Sequence, residues 1–164
     1  DIVKQSAIAP ERIEFEITET AMMADIEQAR RSIERIAALG CRLALDDFGS
    51  GYSSFSYLHQ LPVSKIKIDR SLLKDASASK IIQTIINLGH SLDLDCVVEG
   101  VETIAELDLL RGMRARFIQG YIFGKPMAAG GVLAYLAAEK RAAGQIAQPA
   151  PAKLSIVKPP IRKA

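Results

Sequence analysis

Arg42-Leu43-Ala44-Leu45-Asp46-Asp47-Phe48-Gly49-Ser50-Gly51-Tyr52 joins an apolar strand to two adjacent carboxylates and a turn with two glycines. Successive side chains on a strand point to opposite faces, so one aspartate continues the inward row while its neighbour opens the loop. The two acids are therefore predicted to have unequal roles. Read alone, the pattern suits a metal-binding strand end and a solvated turn equally. What the rest of the chain brings to the same place decides between them.

Outward from this stretch, apolar segments of strand length alternate with longer helical patterns, which is the signature of repeated βα units around a parallel sheet. About five units are expected, an α/β fold, with strands over residues 13–18, 42–46, 65–69, 95–99 and 117–119. Ile26, Ala29, Ile33, Ile36 and Ala37 recur at helical spacing, with Asp25 to cap the start and Gly40 to supply a left-handed stop. Ile81, Ile82, Ile85, Ile86, Leu88 and Leu92 predict a second helix, for which Ser79 is a candidate cap. Ile104, Leu107 and Leu110 predict a shorter one, and residues 132–141 an alanine-rich last one. Residues 1–143 read as one domain. From Gly144 to Ala164 the chain mixes Pro, Ala and Lys without periodicity, as a flexible tail would.

The 164 residues, 49% hydrophobic and 24% charged, suffice for one globular domain with a buried core. A net charge of +2 with dispersed basic residues argues against binding duplex nucleic acid. Cys41 and Cys96 lie beside hydrophobic strand patterns without zinc-site spacing, which suits buried thiols and a reducing cytoplasm. No apolar run approaches the roughly 20 residues that span a bilayer, so an anchor, if the parent protein has one, is expected elsewhere.

In parallel βα folds the chemistry sits at the carboxyl ends of the strands. The polar exceptions fall there: Glu16 and Glu19, Asp46 and Asp47, Lys67 and Asp69, Glu99, and Gln119. Each has a structural explanation, such as a solvated strand end for Glu16 and Glu19, an ion pair of Lys67 with Asp69 or Asp46, or a helix cap at Glu99. Their recurrence at one end of successive strands favours a shared partner, because buried carboxylates need one. Oxygen donors without a His or Cys cluster suit magnesium or manganese rather than zinc. His59 and His90 lie away from these ends, and neither a Ser-His-Asp set nor a phosphate-binding glycine loop is present.

The motifs Glu16-Ile17-Thr18-Glu19, Leu45-Asp46-Asp47-Phe48-Gly49-Ser50-Gly51-Tyr52-Ser53-Ser54, Leu61-Pro62-Val63, Lys67-Ile68-Asp69-Arg70-Ser71, Glu99-Gly100-Val101-Glu102-Thr103 and Gln119-Gly120-Tyr121 follow one another in an order that resembles the EAL-domain cyclic di-GMP phosphodiesterases. The match runs over residues 13–127. It implies a modified TIM barrel that opens cyclic di-GMP to the linear dinucleotide with Mg2+ or Mn2+. It also implies that Glu16 and Asp46 ligate metal and that Asp47 serves a second metal or its water. Lys67 would lie near the attacking water and the scissile phosphate, and Glu99 would be the general base. Gln119 and Asp69 would stand behind the ligands, Glu19 and Glu102 would steady the loop after Asp46-Asp47, and Gly49, Ser50 and Tyr52 would meet substrate.

The family's Glu-Ala-Leu segment, and an asparagine ligand on the next strand, precede the Glu-Ile-Thr-Glu motif and do not occur here. Arg116 also stands where the family has an acid. The chain thus resembles the back portion of the domain, a partial barrel without its first strands. Exposed sheet edges then predict an oligomer, to which a mean hydropathy of +0.13 is suited. The resemblance further implies a possible GGDEF or sensory domain upstream. The expected activity is a phosphodiesterase that is weak or inactive as this chain alone; a non-catalytic binding or dimerisation module is the alternative.

Overall fold

The computed structural model describes residues 2–5, 7–50, 55–74 and 78–145. Two compact units result, Asp1–Lys125 and Pro126–Ala164. In the first, a short helix α1 (Ile2–Gln5) and a 3-10 turn at Pro10–Arg12 lead to β1 (Glu14–Thr18), α2 (Glu19–Ala24), α3 (Ile26–Ala37) and β2 (Arg42–Phe48). A 3-10 turn at Phe55–Gln60 precedes β3 (Lys65–Ile68), which is followed by α4 (Ser71–Lys74), α5 (Ser79–Ser91), β4 (Asp95–Val98), α6 (Ile104–Gly112) and β5 (Phe117–Ile118). The second unit holds α7 (Ala129–Gln145). The expected tail lies outside the described residues from residue 146 onward.

All strand pairs are parallel and the sheet order is β1-β2-β3-β4-β5, so each strand neighbours the next in sequence. This is the expected arc of a (β/α) barrel, with β1 and β5 at its edges.

The period-two alternation divides the sheet into two unlike faces. In β3, Ile66 and Ile68 are fully buried and join Leu45, Phe48, Val98, Ile82, Ile85 and Ile86 in one hydrophobic cluster, because α5 packs on β3 and β4. Lys65 and Lys67 take the opposite face. There Lys65 Nζ lies 2.7 Å from both oxygens of Glu14, reaching across β2 to β1. At about 25 cal/mol per Å² of apolar area removed from water, the isoleucine layer supplies the stabilisation that lets the other face be charged.

The helix ends follow local chemistry. Asp25 accepts the Gln28 N–H at 2.9 Å and starts α3, as its position predicts. Gly40, at φ +87°, takes the left-handed position beyond α3 that L side chains avoid. Ser79 does not cap α5: it is the first helical residue, and Ala78 before it offers no side-chain acceptor. The last helix begins at Ala129, three residues before the expected 132, and runs to Gln145, as alanine's high helix propensity allows.

Candidate active site

The site is made where three βα units each place an acid on the charged face, in or just beyond the strand. Glu16 of β1, Asp46 of β2 and Glu99, just beyond β4, are brought together by parallel pairing, which aligns Thr18 with Asp46 and Ile68 with Val98. Between them stands Lys67 of β3. Its Nζ lies 2.9 Å from Glu16 Oε2, 3.0 Å from Asp46 Oδ1 and 2.9 Å from Glu99 Oε1. The lysine side chain is only 9% exposed. Burial alone would lower its pKa, but the carboxylates of Glu16, Glu99 and Asp46 around it outweigh that and hold the ammonium above its ordinary value.

The two aspartates stand in unequal positions, Asp46 beside Lys67 and Asp47 with a left-handed backbone. The β2–β3 register shifts between Leu45 and Phe48, so Asp46 and Asp47 lie in a bulge that re-aims both side chains, while β2 continues to the fully buried Phe48. Asp47 adopts φ +55°, a left-handed conformation that aspartate tolerates better than most residues. Its carboxyl is raised above the usual range by burial and by the charges of Asp46, Asp69 and Glu16, with Lys67 opposing. Gly49 at φ +91° and the Ser50 hydroxyl, which donates to Asp47 O at 2.8 Å, complete the turn. Tyr52 lies outside the described residues.

The supporting residues divide between two loops. Thr18 caps α2, so Glu19 opens a helix rather than ending a strand, and its buried carboxylate accepts the Gly49 N–H at 3.3 Å. Glu102 lies 3.4 Å from Arg70, whose stem lies against Gly100 so closely that a Cβ there would clash. Asp69 accepts the Ser71 N–H at 2.9 Å. Gln119 is held by main-chain bonds at the end of β4, its N–H donating to Val98 O at 2.9 Å. Next to it, Gly120 leaves room for the Val101 backbone. Sequence reasoning missed the Arg70–Glu102 pair, although Arg70 follows directly on the motif acids.

Whether the donors suit a divalent cation can be tested on the molecule itself. Asp46 Oδ1 is a buried oxygen with no hydrogen bond directed at it; the Lys67 ammonium is close enough to neutralise its charge but does not meet it at a bonding angle. As the side chains stand, no group of three His, Cys, Asp or Glu residues among the described residues is placed to hold a metal ion. The carboxylates nevertheless converge on one cationic centre, now an ammonium. Hard oxygen donors and an orphaned acceptor fit magnesium or manganese, given further donors.

A parallel βα sheet with a carboxylate centre at its strand ends defines a class of α/β proteins, and the comparisons narrow it. The EAL domain profile matches residues 1–126, and the chain belongs to that family. The cyclic di-GMP phosphodiesterase NbdA of Pseudomonas aeruginosa is 42% identical over 129 residues, 76% of this chain and 16% of NbdA. Among solved structures, the MucR phosphodiesterase of Pseudomonas aeruginosa in its c-di-GMP complex matches with a TM-score of 0.75 at 35% identity, over 79% of this chain and 54% of that one. A manganese and cyclic di-GMP complex of Klebsiella pneumoniae BlrP1 matches at 0.69 and 32%, over 73% of this chain and 31% of that one. The chain spans about a sixth of the length of NbdA.

Proposed function

We propose that this chain is the carboxylate-bearing portion of a metal-dependent phosphodiesterase that opens cyclic di-GMP to the linear dinucleotide. The observation that carries the reading is the convergence of Glu16, Asp46 and Glu99 from separate βα units on one cation at the strand ends. Glu16 and Asp46 would hold Mg2+ or Mn2+, with Asp47 serving a second ion. When bound, the metal supplies Lewis acidity, neutralising phosphoryl charge and making water acidic enough to attack at neutral pH.

The chain's own residues do the rest. Glu99 accepts the water's proton as general base, Lys67 offers positive charge to the scissile phosphate, and Gln119 and Asp69 stand behind them. Gly49, Ser50 and Tyr52 would meet the substrate. Glu19 holds Gly49 by its N–H, and Glu102 ties the loop after β4 to Arg70.

Two ligands that the family places ahead of the Glu-Ile-Thr-Glu motif would complete the site from a preceding segment. A non-catalytic module that binds cyclic di-GMP is the second reading; what favours it is that the side chains as they stand do not hold a metal ion by themselves.

The proposal extends to the parent protein: a GGDEF or sensory domain upstream, and an oligomer built on the edges β1 and β5. Residues 1–143 would be the domain and 144–164 a flexible tail. Cytoplasmic placement is supported by the free, buried Cys41 and Cys96. Among the described residues no helix is long and apolar enough to cross a membrane.

The test is to incubate this chain, and a version extended upstream, with cyclic di-GMP and manganese and follow linear product. Turnover in the extended version supports the enzyme. Binding without turnover in both would replace it with the module.

A further inference from the structure

We infer that Lys67 is a built-in counter-cation that keeps the carboxylate centre assembled without metal and must release Glu16 and Asp46 before a divalent ion enters. This rests on the proposed reading of the site as metal-dependent.

An ammonium has three N–H donors and no acceptor. Lys67 Nζ meets three carboxylates, each on a different βα unit, at 2.9–3.0 Å. Its one positive charge is therefore within ion-pair distance of all three acids at once. Without it, three like charges would face one another across adjacent strands, two of them on side chains less than a fifth exposed. A divalent ion takes carboxylate oxygens at about 2.0–2.2 Å for magnesium or manganese-sized ions, so it needs the same oxygens from closer in. The ammonium and the ion would compete for the two oxygens that face Lys67, Glu16 Oε2 and Asp46 Oδ1, and would repel each other across them.

The three contacts are not equal. Asp46 Oδ1 is held by charge without a directed hydrogen bond, and Glu16 is the most exposed of the three acids, at 47%. Glu99 lies farther along the sheet, on the far side of β3 from both. Entry of metal at Glu16 and Asp46 would thus leave the ammonium on Glu99, where it faces the proposed general base. Lys65, paired with Glu14 one layer below on the same face, has no part in this exchange and provides an internal control.

The experiment is a calorimetric Mn2+ titration of the chain and of its upstream-extended version, as wild type, Lys67→Met and Lys67→Arg. Lys67→Met should bind Mn2+ about tenfold or more tightly than wild type and gain more melting temperature from it. Lys67→Arg, which keeps the charge, should bind as wild type does. Equal or weaker binding by a folded Lys67→Met overturns the inference.

Should Lys67→Met not fold without metal, the wild-type protein still decides. On adding Mg2+, the Lys67 side-chain ammonium resonance should shift while that of Lys65 stays; a Lys67 signal unmoved at saturating Mg2+ overturns the inference. Failure here is separable from failure of the phosphodiesterase reading, since metal binding is read without substrate and linear product is scored independently.

Discussion

Asp47 shows how the site is held at the cost of stability. It combines a left-handed backbone with a carboxyl surrounded by Asp46, Asp69 and Glu16, and strained or repelling groups of this kind collect at functional sites. Asp47→Asn keeps a residue that tolerates the backbone and removes the charge. It should stabilise the metal-free chain by on the order of 1 kcal/mol in urea denaturation, in the range seen when function-linked strain is relieved; a destabilised Asp47→Asn would show that the carboxylate is structurally satisfied. The neighbouring Lys67 was legible only in part. Pairing with Asp46 or Asp69 was foreseeable from the strand-end pattern, whereas its simultaneous hold on Glu16 and Glu99 depends on the register of four strands, which no local pattern encodes. By contrast the Glu14–Lys65 pair spans 51 residues of sequence and has no signal of its own.

At the scale of elements, α6 is set by a capping box that the chain announces as Thr103-Ile104-Ala105-Glu106. Thr103 Oγ1 accepts the Glu106 N–H at 3.2 Å, and Glu106 Oε2 accepts the Glu102 and Thr103 N–H groups at 2.9 Å. Those backbone bonds hold the Glu106 carboxyl below its ordinary range. A lowered pKa stabilises the folded state fully above the unfolded value and loses that contribution as pH falls through the folded one. Glu106→Ala should therefore cost about 1 kcal/mol at neutral pH and progressively less in acid, by chemical denaturation across pH; a difference independent of pH would exclude the carboxylate as the cause.

The other end of α6 has its residues in an unfavourable order. Gly112 is helical with open space at its Cβ position, while Arg114 takes the left-handed position at φ +59°. Gly112→Ala with Arg114→Gly should raise stability by about 1–2 kcal/mol, measured by the denaturation midpoint; no gain would mean that Arg114 makes a compensating contact. The helices themselves were readable from apolar spacing, and Asp25 from cap chemistry. Glu19 was misplaced because a strand and the helix following it are contiguous here, with Thr18 serving both.

For the whole molecule, the alternation Lys65-Ile66-Lys67-Ile68 already contained the two-faced sheet, since one parity is apolar and the other charged. The strand-end acids pointed to a shared site, because a (β/α) arrangement brings all strand ends to one rim, whereas the family was readable from the order of the motifs that run from Glu16-Ile17-Thr18-Glu19 to Gln119-Gly120-Tyr121. With β1 and β5 as the edges of the sheet among the described residues, light scattering coupled to size-exclusion chromatography should give a dimer or higher species for this chain, and a compact monomer at high concentration would contradict it.

In the proposed enzyme Glu16, Asp46 and Glu99 form one hydrolytic centre. Its most direct test is Glu99→Gln in the upstream-extended protein, assayed for linear product from cyclic di-GMP alongside ligand binding. A fall in kcat of about 100-fold or more with binding retained is expected, whereas near wild-type turnover by Glu99→Gln would rule out Glu99 as the general base of that centre.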